Sequence, residues 1–334
     1  MEAAIVERYG VAFKHITAAG VHGVNLCQLP SNLIKLFIGV LQARRILTQF
    51  RPDVLFFTGG YVAIPLALAA YLPLRKFKKP SSVLFVPDIE PGLALKTLAR
   101  FADCIAITAE ETKKYLPSSK KTILSGYPVR AAFYEGDRDK ARRQFGLNLD
   151  LPVVVVFGGS LGARSINQAL FSILPQLLEE AQVIHISGKF AWDEVQLERG
   201  KLEQQNLLLA QRYHSYAYLH DEMPQALQAA DLVICRSGAS TLGELPALGT
   251  AAILVPYPHA WRYQEINAAF LTQRGAAIML KDADLMHTLL PTVLDCIRDS
   301  EKLKQMSKAM QQLAKPEAAK TIIRCILSYT DGGK

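Results

Sequence analysis

The stretch VVFGGSLGARSIN, from Val155 to Asn167, decides the fold. A β-branched run ends in glycines, and a segment of helical period follows at once and continues to Ala181. Glycine lets the backbone turn sharply and approach a ligand, and the helix behind it points unpaired N–H groups and a positive dipole end at an anion. The stretch therefore predicts a strand, an anion-binding turn and a helix.

Two other stretches share this arrangement, FFTGGYVAIP (Phe56–Pro65) and VICRSGASTLGEL (Val233–Leu245). One glycine turn is often purely structural, but three turns at the carboxyl ends of parallel strands favour a phosphate-bearing ligand. None of them fits G-x-x-x-x-G-K-[ST] or G-x-G-x-x-G, so a Walker NTPase and a plain NAD dehydrogenase both lose support.

Short β-branched runs alternate with helical segments along the chain, which indicates an α/β fold with parallel sheets covered on both faces. We predict strands at Val11–Ile16, Val54–Thr58, Ser82–Val86, Cys104–Thr108, Thr122–Ser125, Pro152–Phe157, Val183–Ser187, Ala217–Tyr218, Leu232–Cys235 and Ala252–Val255. We predict helices at Ser31–Phe50, Leu93–Phe101, Arg164–Ala181 and Thr241–Leu248, and a wholly helical chain after Asp282, divided at Pro316.

The length of 334 residues suits two domains at ~100–200 residues each. The charged stretch from Tyr134 to Asn148 joins them. We predict an N-terminal domain at residues 1–140, a C-terminal domain at 141–315, and a C-terminal helix at 316–334 that packs back toward the first domain.

The net charge of +8 is unevenly distributed. Residues 1–150 hold 21 Lys and Arg against 12 Asp and Glu, whereas residues 151–334 hold 17 against 18. The N-terminal half is therefore expected to face an anionic partner such as nucleic acid, anionic lipid or a phosphorylated substrate. A merely solvated basic surface is the alternative.

The five cysteines include no C-x-x-C pair and indicate buried, reduced thiols in a cytosolic protein. The N-terminus lacks the pattern of a secretory signal. The longest apolar stretch, Tyr61–Leu74, is too short to span a bilayer, which takes ~20 apolar residues.

The third glycine turn adds polar side chains, namely Arg236, Ser237, Ser240, Thr241 and Glu244. The Glu244 carboxylate lies one helical repeat beyond the turn and could accept two ribose hydroxyls. The alternative is a helix cap with Ser240 as the capping residue.

The loop that follows, Pro256–Ala269, is dense in hydrogen-bonding groups that suit a sugar: His259, Arg262, Gln264, Glu265 and Asn267. The histidines and acids lack metal-ligand spacing, so neither a structural metal nor a cofactor is predicted.

At these residues the sequence resembles glycosyltransferases with two Rossmann-like domains facing a cleft, the GT-B type. Among them it is similar to the family 28 enzymes of bacteria, which add N-acetylglucosamine from its UDP form to undecaprenyl-pyrophosphoryl-N-acetylmuramoyl-pentapeptide. The matching stretches are FFTGGYVAIPLALAA, EPGLALKTLAR, SGYPVR, GGSLGARSIN and ADLVICRSGASTLGELPALGTAAILVPYPHAWRYQEINAAFL. The resemblance implies an inverting transfer in peptidoglycan synthesis at the cytoplasmic face of the membrane.

The resemblance also implies site residues. Arg130 and Ser160 approach the donor diphosphate, and the backbone at His220 holds the uracil ring. The phosphates and ribose are received by Ala239, Ser240, Thr241, Leu242, Gly243 and Glu244. Gln264 binds the sugar hydroxyls, and Gly59 and Gly60 line the acceptor side.

Three departures from the family pattern stand out. Asp88, in VPDIEPG, replaces the asparagine of the family's EQNAVPG, and Tyr263 replaces the first of two glutamines. The opening strand and GGTGGH loop, which supply the family's candidate base, are missing, so the fold is predicted without its first βα unit. A start upstream of Met1, a fragment supplied by another chain and a rearranged sheet are the three interpretations. Asp88 is the substitute candidate for the base.

Given this resemblance, we expect the basic N-terminal half to bind an anionic membrane surface. An apolar stripe in Ser31–Phe50, formed by Leu33, Leu36, Phe37, Val40, Leu41 and Ile46, lies beside Lys35, Arg44 and Arg45, and RKFKK follows at Arg75–Lys79. Such an edge suits anionic lipid. The alternative is the buried face of a Rossmann helix.

Two rival functions share the donor motifs: a hexosyltransferase acting on diacylglycerol, and a non-catalytic subunit that binds UDP-sugar. Nucleic-acid binding is disfavoured, because the basic residues are not interleaved with stacking aromatics.

Overall fold

The computed structural model describes residue 6 and residues 9–20, 26–72, 79–159, 161–259 and 263–330. Two parallel sheets organise this part of the chain. The first has the strand order β1-β2-β3-β4 and the second the order β10-β9-β8-β5-β6-β7. This is the predicted architecture of two α/β domains with parallel sheets.

The strands of the first sheet are β1 (Val54–Phe57), β2 (Ser81–Val86), β3 (Cys104–Ile107) and β4 (Lys121–Leu124). Those of the second sheet are β5 (Val153–Phe157), β6 (Gln182–Ile186), β7 (Tyr213–Tyr216), β8 (Leu232–Cys235), β9 (Ala251–Leu254) and β10 (Ala277–Met279).

The helices of the first half are α1 (Leu29–Phe50), α2 (Ala63–Tyr71), α3 (Leu93–Ala99) and α4 (Arg138–Gln144). Those that follow are α5 (Arg164–Glu180), α6 (Trp192–Gln205), α7 (Leu207–Ala210), α8 (Met223–Ala229), α9 (Thr241–Leu248), α10 (Tyr263–Thr272), α11 (Leu285–Arg298), α12 (Ser300–Gln311) and α13 (Ala318–Leu327). Short 3₁₀ helices lie at Leu26–Gln28, Glu110–Tyr115, Ala131–Phe133, Lys189–Ala191 and Asp282–Asp284.

The second sheet is buried on both faces. Successive side chains of β5 point to opposite sides, so Val154 packs in one core cluster with Leu170 of α5. Val155 packs in the other cluster with Leu227 of α8 and Leu245 of α9. This two-sided burial explains why β5 reads as an unbroken valine run in the sequence.

The first sheet is covered on one face by α1, α2 and α3, where Leu84 and Ile105 pack in a cluster with Leu47, Ala69 and Leu98. Its other face is covered by the C-terminal helix α13. The thiol of Cys325 on α13 lies 3.1 Å from that of Cys104 on β3, measured between the two sulfur atoms. The end of the chain therefore returns to the first sheet.

The prediction of a strand at Val11–Ile16 is wrong, because these residues form no regular element. The segment is held by α1 instead of a ladder. The backbone N–H of Thr17 donates to the side chain of Gln42 at 2.7 Å, and Asn32 donates to the carbonyl of Gly20 at 2.8 Å. Within the described sheet β1 is an edge strand, paired only with β2, and residues 11–16 do not extend its open edge.

Three smaller corrections follow. The strand predicted at Ala217–Tyr218 lies earlier in the chain, at β7. The three-residue strand β10 was missed because it is too short to show a period. The thiol of Cys27 is exposed, unlike those of the other four cysteines.

Across the described residues, the helices include none with the length and hydropathy needed to cross a bilayer.

Candidate active site

The centre of the site is a buried amide, Asn267 of α10, that joins the two halves of the molecule. Its side-chain nitrogen donates to the carboxylate of Asp88 at 2.8 Å and to the carbonyl of Ser237 at 3.2 Å. Its side-chain oxygen accepts from the backbone N–H of Ile89 at 3.1 Å. Asp88 and Ile89 follow β2 of the first sheet, while Ser237 follows β8 of the second. One side chain thus bridges the carboxyl ends of both sheets.

This finding corrects the interpretation of Asn267 as a sugar ligand in the polar loop. Its amide is used by Asp88, Ile89 and Ser237, and the residue is fully buried. The prediction of a loop over Pro256–Ala269 is wrong from Tyr263 onward, because α10 begins there. Of the other residues named in that stretch, His259 and Glu265 are exposed, while Arg262 lies outside the described residues.

Burial raises the pKa of the Asp88 carboxyl, and the hydrogen bond from Asn267 opposes that rise. The folded protein therefore holds a proton on Asp88 more tightly than a free aspartate does. A carboxylate with a raised pKa is a better proton acceptor, which is compatible with a role as a base.

Tyr263, the second departure from the family pattern, lies at the same junction. A Cβ atom added at Gly92 would be 3.6 Å from the Tyr263 hydroxyl, so this side chain reaches the backbone of the loop after Asp88. The replaced glutamine position and the replaced asparagine position are therefore both at the contact between the halves.

The third glycine turn leads into α9, which begins at Thr241 as predicted. Ser240 lies at the N-cap position, but its side chain makes no capping bond to the backbone. Its hydroxyl instead acts on the carboxyl group of Glu244, whose pKa it lowers. The alternative interpretation of Ser240 as the cap of this helix is therefore wrong.

The environment of Glu244 is largely buried. Burial raises the pKa of its carboxyl, and the hydrogen bond with Ser240 and the charge of Arg130 lower it. Arg130 itself is exposed, with its guanidinium 5.5 Å from the centre of the Phe133 ring. Arg130 and Glu244 thus act on each other electrostatically at the predicted donor site.

Gly243 and Leu242 lie on the buried side of α9. A Cβ at Gly243 would be 2.7 Å from the ring of Tyr127 and 2.9 Å from Val129, so only glycine fits this contact. Tyr127 and Val129 belong to the SGYPVR stretch that ends at Arg130. The close approach therefore brings Arg130 to the first turn of α9.

The glycine turn after β5 packs against buried polar groups at the end of β6. A Cβ at Gly162 would be 2.3 Å from the carbonyl oxygen of Ser187, and Gly162 has a φ of +81°. The same carbonyl accepts from the amide of Asn167 at 3.1 Å, and the oxygen of Asn167 faces Nε2 of His185 at 3.1 Å.

His185 is fully buried, and burial lowers its pKa to about 3, so the ring is neutral. Because Asn167 offers its oxygen, Nε2 of His185 carries the proton, and Nδ1 accepts from the Tyr213 hydroxyl at 2.7 Å. The sequence analysis missed this pair. Asn167 was visible as the last residue of GGSLGARSIN, but His185 showed no sign that separated it from a core residue.

The remaining predicted residues lie as follows. Gln264 accepts through its side chain from the backbone N–H of Tyr257 at 2.9 Å. His220 is exposed, and its backbone N–H donates to Glu222 at 3.2 Å. Gly59 and Gly60 follow β1 with φ angles of +111° and +82°. Ser160 lies outside the described residues.

The side chain of Arg236, predicted as one of the polar groups of the donor turn, is already held by other protein groups. Its guanidinium is paired with Asp282 and donates to Ser165 at 2.8 Å and to the carbonyl of Val255 at 3.2 Å. The Arg236 side chain therefore ties together the elements around the turn. In the described part of the chain, His, Cys, Asp and Glu form no group of three that could hold a metal ion.

Comparison with known proteins identifies the family. The model of the glycosyltransferase family 28 N-terminal domain matches residues 1–107, and that of the family 28 C-terminal domain matches residues 153–322. The chain belongs to glycosyltransferase family 28.

Two relatives of this family 28 chain bear the same name, UDP-N-acetylglucosamine–N-acetylmuramyl-(pentapeptide) pyrophosphoryl-undecaprenol N-acetylglucosamine transferase. The protein of Roseiflexus sp. (strain RS-1) is 37% identical, with 96% of this chain and 80% of the relative covered. That of Desulforudis audaxviator (strain MP104C) is 38% identical, with 98% and 87% covered. Among solved structures, MurG of Acinetobacter baumannii is similar with a TM-score of 0.74 and 25% identity, over 98% of this chain and 88% of that one.

Proposed function

We propose that this family 28 chain transfers N-acetylglucosamine from UDP-N-acetylglucosamine to N-acetylmuramyl-(pentapeptide) pyrophosphoryl-undecaprenol. The activity named for the relatives supports the reaction, which yields the second lipid-linked precursor of peptidoglycan. The observation that carries the proposal for this chain is the bridge at Asn267. It holds an acceptor-side carboxylate, Asp88, next to the turn that opens the donor-binding helix.

On the donor side, residues 239–244 receive the phosphates and the ribose, with the Glu244 carboxylate accepting the ribose hydroxyls. Arg130 and Ser160 approach the diphosphate, Gln264 holds the sugar, and the backbone at His220 holds the uracil. Support comes from the close packing of Gly243 on Tyr127, which brings Arg130 to α9. The N-termini of α5 and α9 and the Arg130 guanidinium stabilise the negative charge that develops on the departing UDP.

On the acceptor side, Gly59, Gly60 and Asp88 line the cleft. The acceptor hydroxyl oxygen forms a bond to the anomeric carbon while the bond from that carbon to the diphosphate oxygen breaks. The hydroxyl proton passes to the Asp88 carboxylate, and UDP leaves with the bonding electrons. Attack from the face opposite the leaving group inverts the configuration at the anomeric carbon.

An exposed apolar face on α1 supports a place at an anionic membrane surface. Leu33, Ile34, Phe37, Ile38 and Leu41 are 41–63% exposed. Lys35 and Arg45 are exposed beside them. Of the predicted stripe, Val40 and Ile46 instead pack against the core. Four residues of the RKFKK stretch, 75–78, lie outside the described residues, and Lys79 lies 4.5 Å from the centre of the Tyr71 ring.

Apolar side chains beside cations give a peripheral protein both insertion into the interface and attraction to anionic lipid. We therefore place the enzyme at the cytoplasmic face of the membrane, with α1 against the lipid. The acceptor, which is anchored by its polyprenyl chain, would then be presented near β1 and β2.

A transfer assay tests the proposal. The protein is incubated with radiolabelled UDP-N-acetylglucosamine and either the polyprenyl-pyrophosphoryl acceptor or diacylglycerol in detergent. Label is expected on the polyprenyl acceptor alone. Label on diacylglycerol would support the glycolipid synthase, and binding of the donor without transfer to either lipid would support a non-catalytic subunit.

A further inference from the structure

A cavity of about 640 Å³ opens at the end of the second sheet opposite to the candidate active site. Among its lining residues, Asp231 and Thr250 immediately precede β8 and β9. Ligands of open parallel sheets bind at the carboxyl ends of the strands, where the donor turn lies. The cavity is therefore separate from the donor site.

Helix α9 runs between the two places. Its first turn carries Thr241 and Glu244 of the donor site, and its last residue, Leu248, lines the cavity with Gly249. Eight helical residues span about 12 Å at 1.5 Å per residue. The cavity and the donor turn therefore lie at opposite ends of α9.

The charge of the cavity lining is positive. Arg138, Lys304 and Lys308 line it, against a single carboxylate, Asp231. That carboxylate is already satisfied, because it pairs with Arg138, accepts from Arg142 at 2.5 Å and accepts from the backbone N–H of Val153 at 2.7 Å. The two lysines therefore dominate the charge that a ligand would meet.

Lys304 and Lys308 are one turn apart on the same face of α12. Lys304 pairs with Glu301 at 2.7 Å, but both side chains are 70% exposed. Such surface pairs contribute only about 0–1 kcal/mol. Lys304 can therefore exchange Glu301 for an anion in the cavity.

The rest of the lining offers hydroxyl and amide groups together with apolar side chains. Ser300, Ser307 and Gln311 of α12 supply the polar groups, while Leu248 and Leu303 supply apolar surface. A phosphate monoester carries about −1.5 to −2 charge near neutral pH and matches two ammonium groups. A sugar ring, with hydroxyls at its rim and an apolar face, matches the other groups.

We propose that this cavity is a second ligand site, which binds a phosphorylated sugar through Lys304 and Lys308. The phosphate meets the two ammonium groups on α12, and the sugar lies against Leu248 and Leu303. The site is independent of the donor nucleotide.

Titration calorimetry with glucose 6-phosphate tests this site, in the absence of UDP and with UDP at saturation. One equivalent is expected to bind under both conditions, and glucose without its phosphate is not. Inorganic phosphate is expected to bind more weakly than glucose 6-phosphate. Displacement of glucose 6-phosphate by UDP, or equal affinity for inorganic phosphate, would overturn the proposal.

The double variant Lys304→Gln with Lys308→Gln is expected to bind glucose 6-phosphate at least about tenfold more weakly, since each charge-assisted contact is lost. Lys201→Gln with Lys320→Gln is the matched control, because these exposed lysines form i,i+3 pairs with Glu198 and Glu317. Ser307→Trp, which fills the cavity without altering charge, is expected to abolish binding. Equal weakening by both double variants, or full binding by Ser307→Trp, would refute the site.

Discussion

The carboxylate of Asp88 accepts a hydrogen bond of 2.8 Å from the side-chain amide of Asn267, a residue 179 positions later in the chain. This contact joins the loop after β2 to α10 and, through the carbonyl of Ser237, to the turn after β8. The two halves of the molecule are therefore joined by hydrogen bonds through the buried side chain of Asn267.

Replacing Asp88 by asparagine is expected to reduce the dependence of stability on pH. Because burial raises the pKa of Asp88, the folded state binds its proton more tightly than the unfolded state. The stability from this proton is fully present below the unfolded pKa, about 3.9, and is lost as the pH rises through the folded pKa. Asp88→Asn keeps a hydrogen-bond acceptor without this ionisation.

We therefore expect Asp88→Asn to be more stable than the parent at neutral pH, with the gap closing as the solution is acidified. Urea unfolding of both proteins, at several pH values from acidic to neutral, measures this difference in the free energy of unfolding. A gap that stays constant with pH would contradict the account of Asp88.

Asn267→Ala is expected to lower the free energy of unfolding by about 2 kcal/mol or more and to impair transfer. The backbone N–H of Ile89 and the carboxylate of Asp88 would both lose a buried partner. Asn206→Ala, which removes only the cap of α7, is the control and is expected to cost about 1 kcal/mol without impairing transfer. Equal loss of transfer by both variants would count against a bridging role.

Glu244→Gln tests the ribose contact. The parent is expected to bind UDP more tightly than 2′,3′-dideoxy-UDP, and the variant is expected to lose at least about tenfold in UDP affinity and most of that preference. Calorimetry with both nucleotides measures the two effects. Glu203→Gln, on an exposed ion pair with Arg199, is the control. If the variant still prefers UDP over the dideoxy nucleotide by the same factor as the parent, Glu244 does not bind the ribose hydroxyls.

Phe37→Asp is expected to weaken binding to vesicles that contain anionic lipid, because it places a charge on the exposed face of α1. Cosedimentation measures the bound fraction. Phe190→Asp is a matched control, since Phe190 is also an exposed phenylalanine, at 86% against 63% for Phe37, but lies after β6 of the second sheet. Equal losses by the two variants would argue against α1 as the membrane face.

Much of the fold could be predicted from the sequence because its signals are local. The strands β5 and β8 are buried on both faces and read as continuous apolar runs, and each is followed by glycine and a helix. The Val11–Ile16 prediction was wrong because strand formation needs a neighbour, and no local pattern shows whether one is present. The domain boundaries at residues 140 and 315 stay predictions.

The place of Glu244 in the first turn of α9 could be predicted because a local motif carries it, while the roles of Glu244 and Gln264 stay predictions. The bridge at Asn267 could not be predicted, since nothing local in the sequence pairs this residue with Asp88. His185 and Asn167 were missed for the same reason, because their contact joins a strand to a helix 18 residues earlier. The sequence alone does not show that Asp88 and Tyr263, the two departures from the family pattern, both lie at the contact between the two halves.

The most direct measurement of the central claim is the ¹H NMR spectrum of the lipid formed from UDP-N-acetylglucosamine and the polyprenyl-pyrophosphoryl acceptor. The donor carries its sugar in the α configuration, so inverting transfer predicts a single N-acetylglucosamine joined to the acceptor sugar in the β configuration. Recovery of unchanged acceptor, or of an α-linked product, would contradict the account.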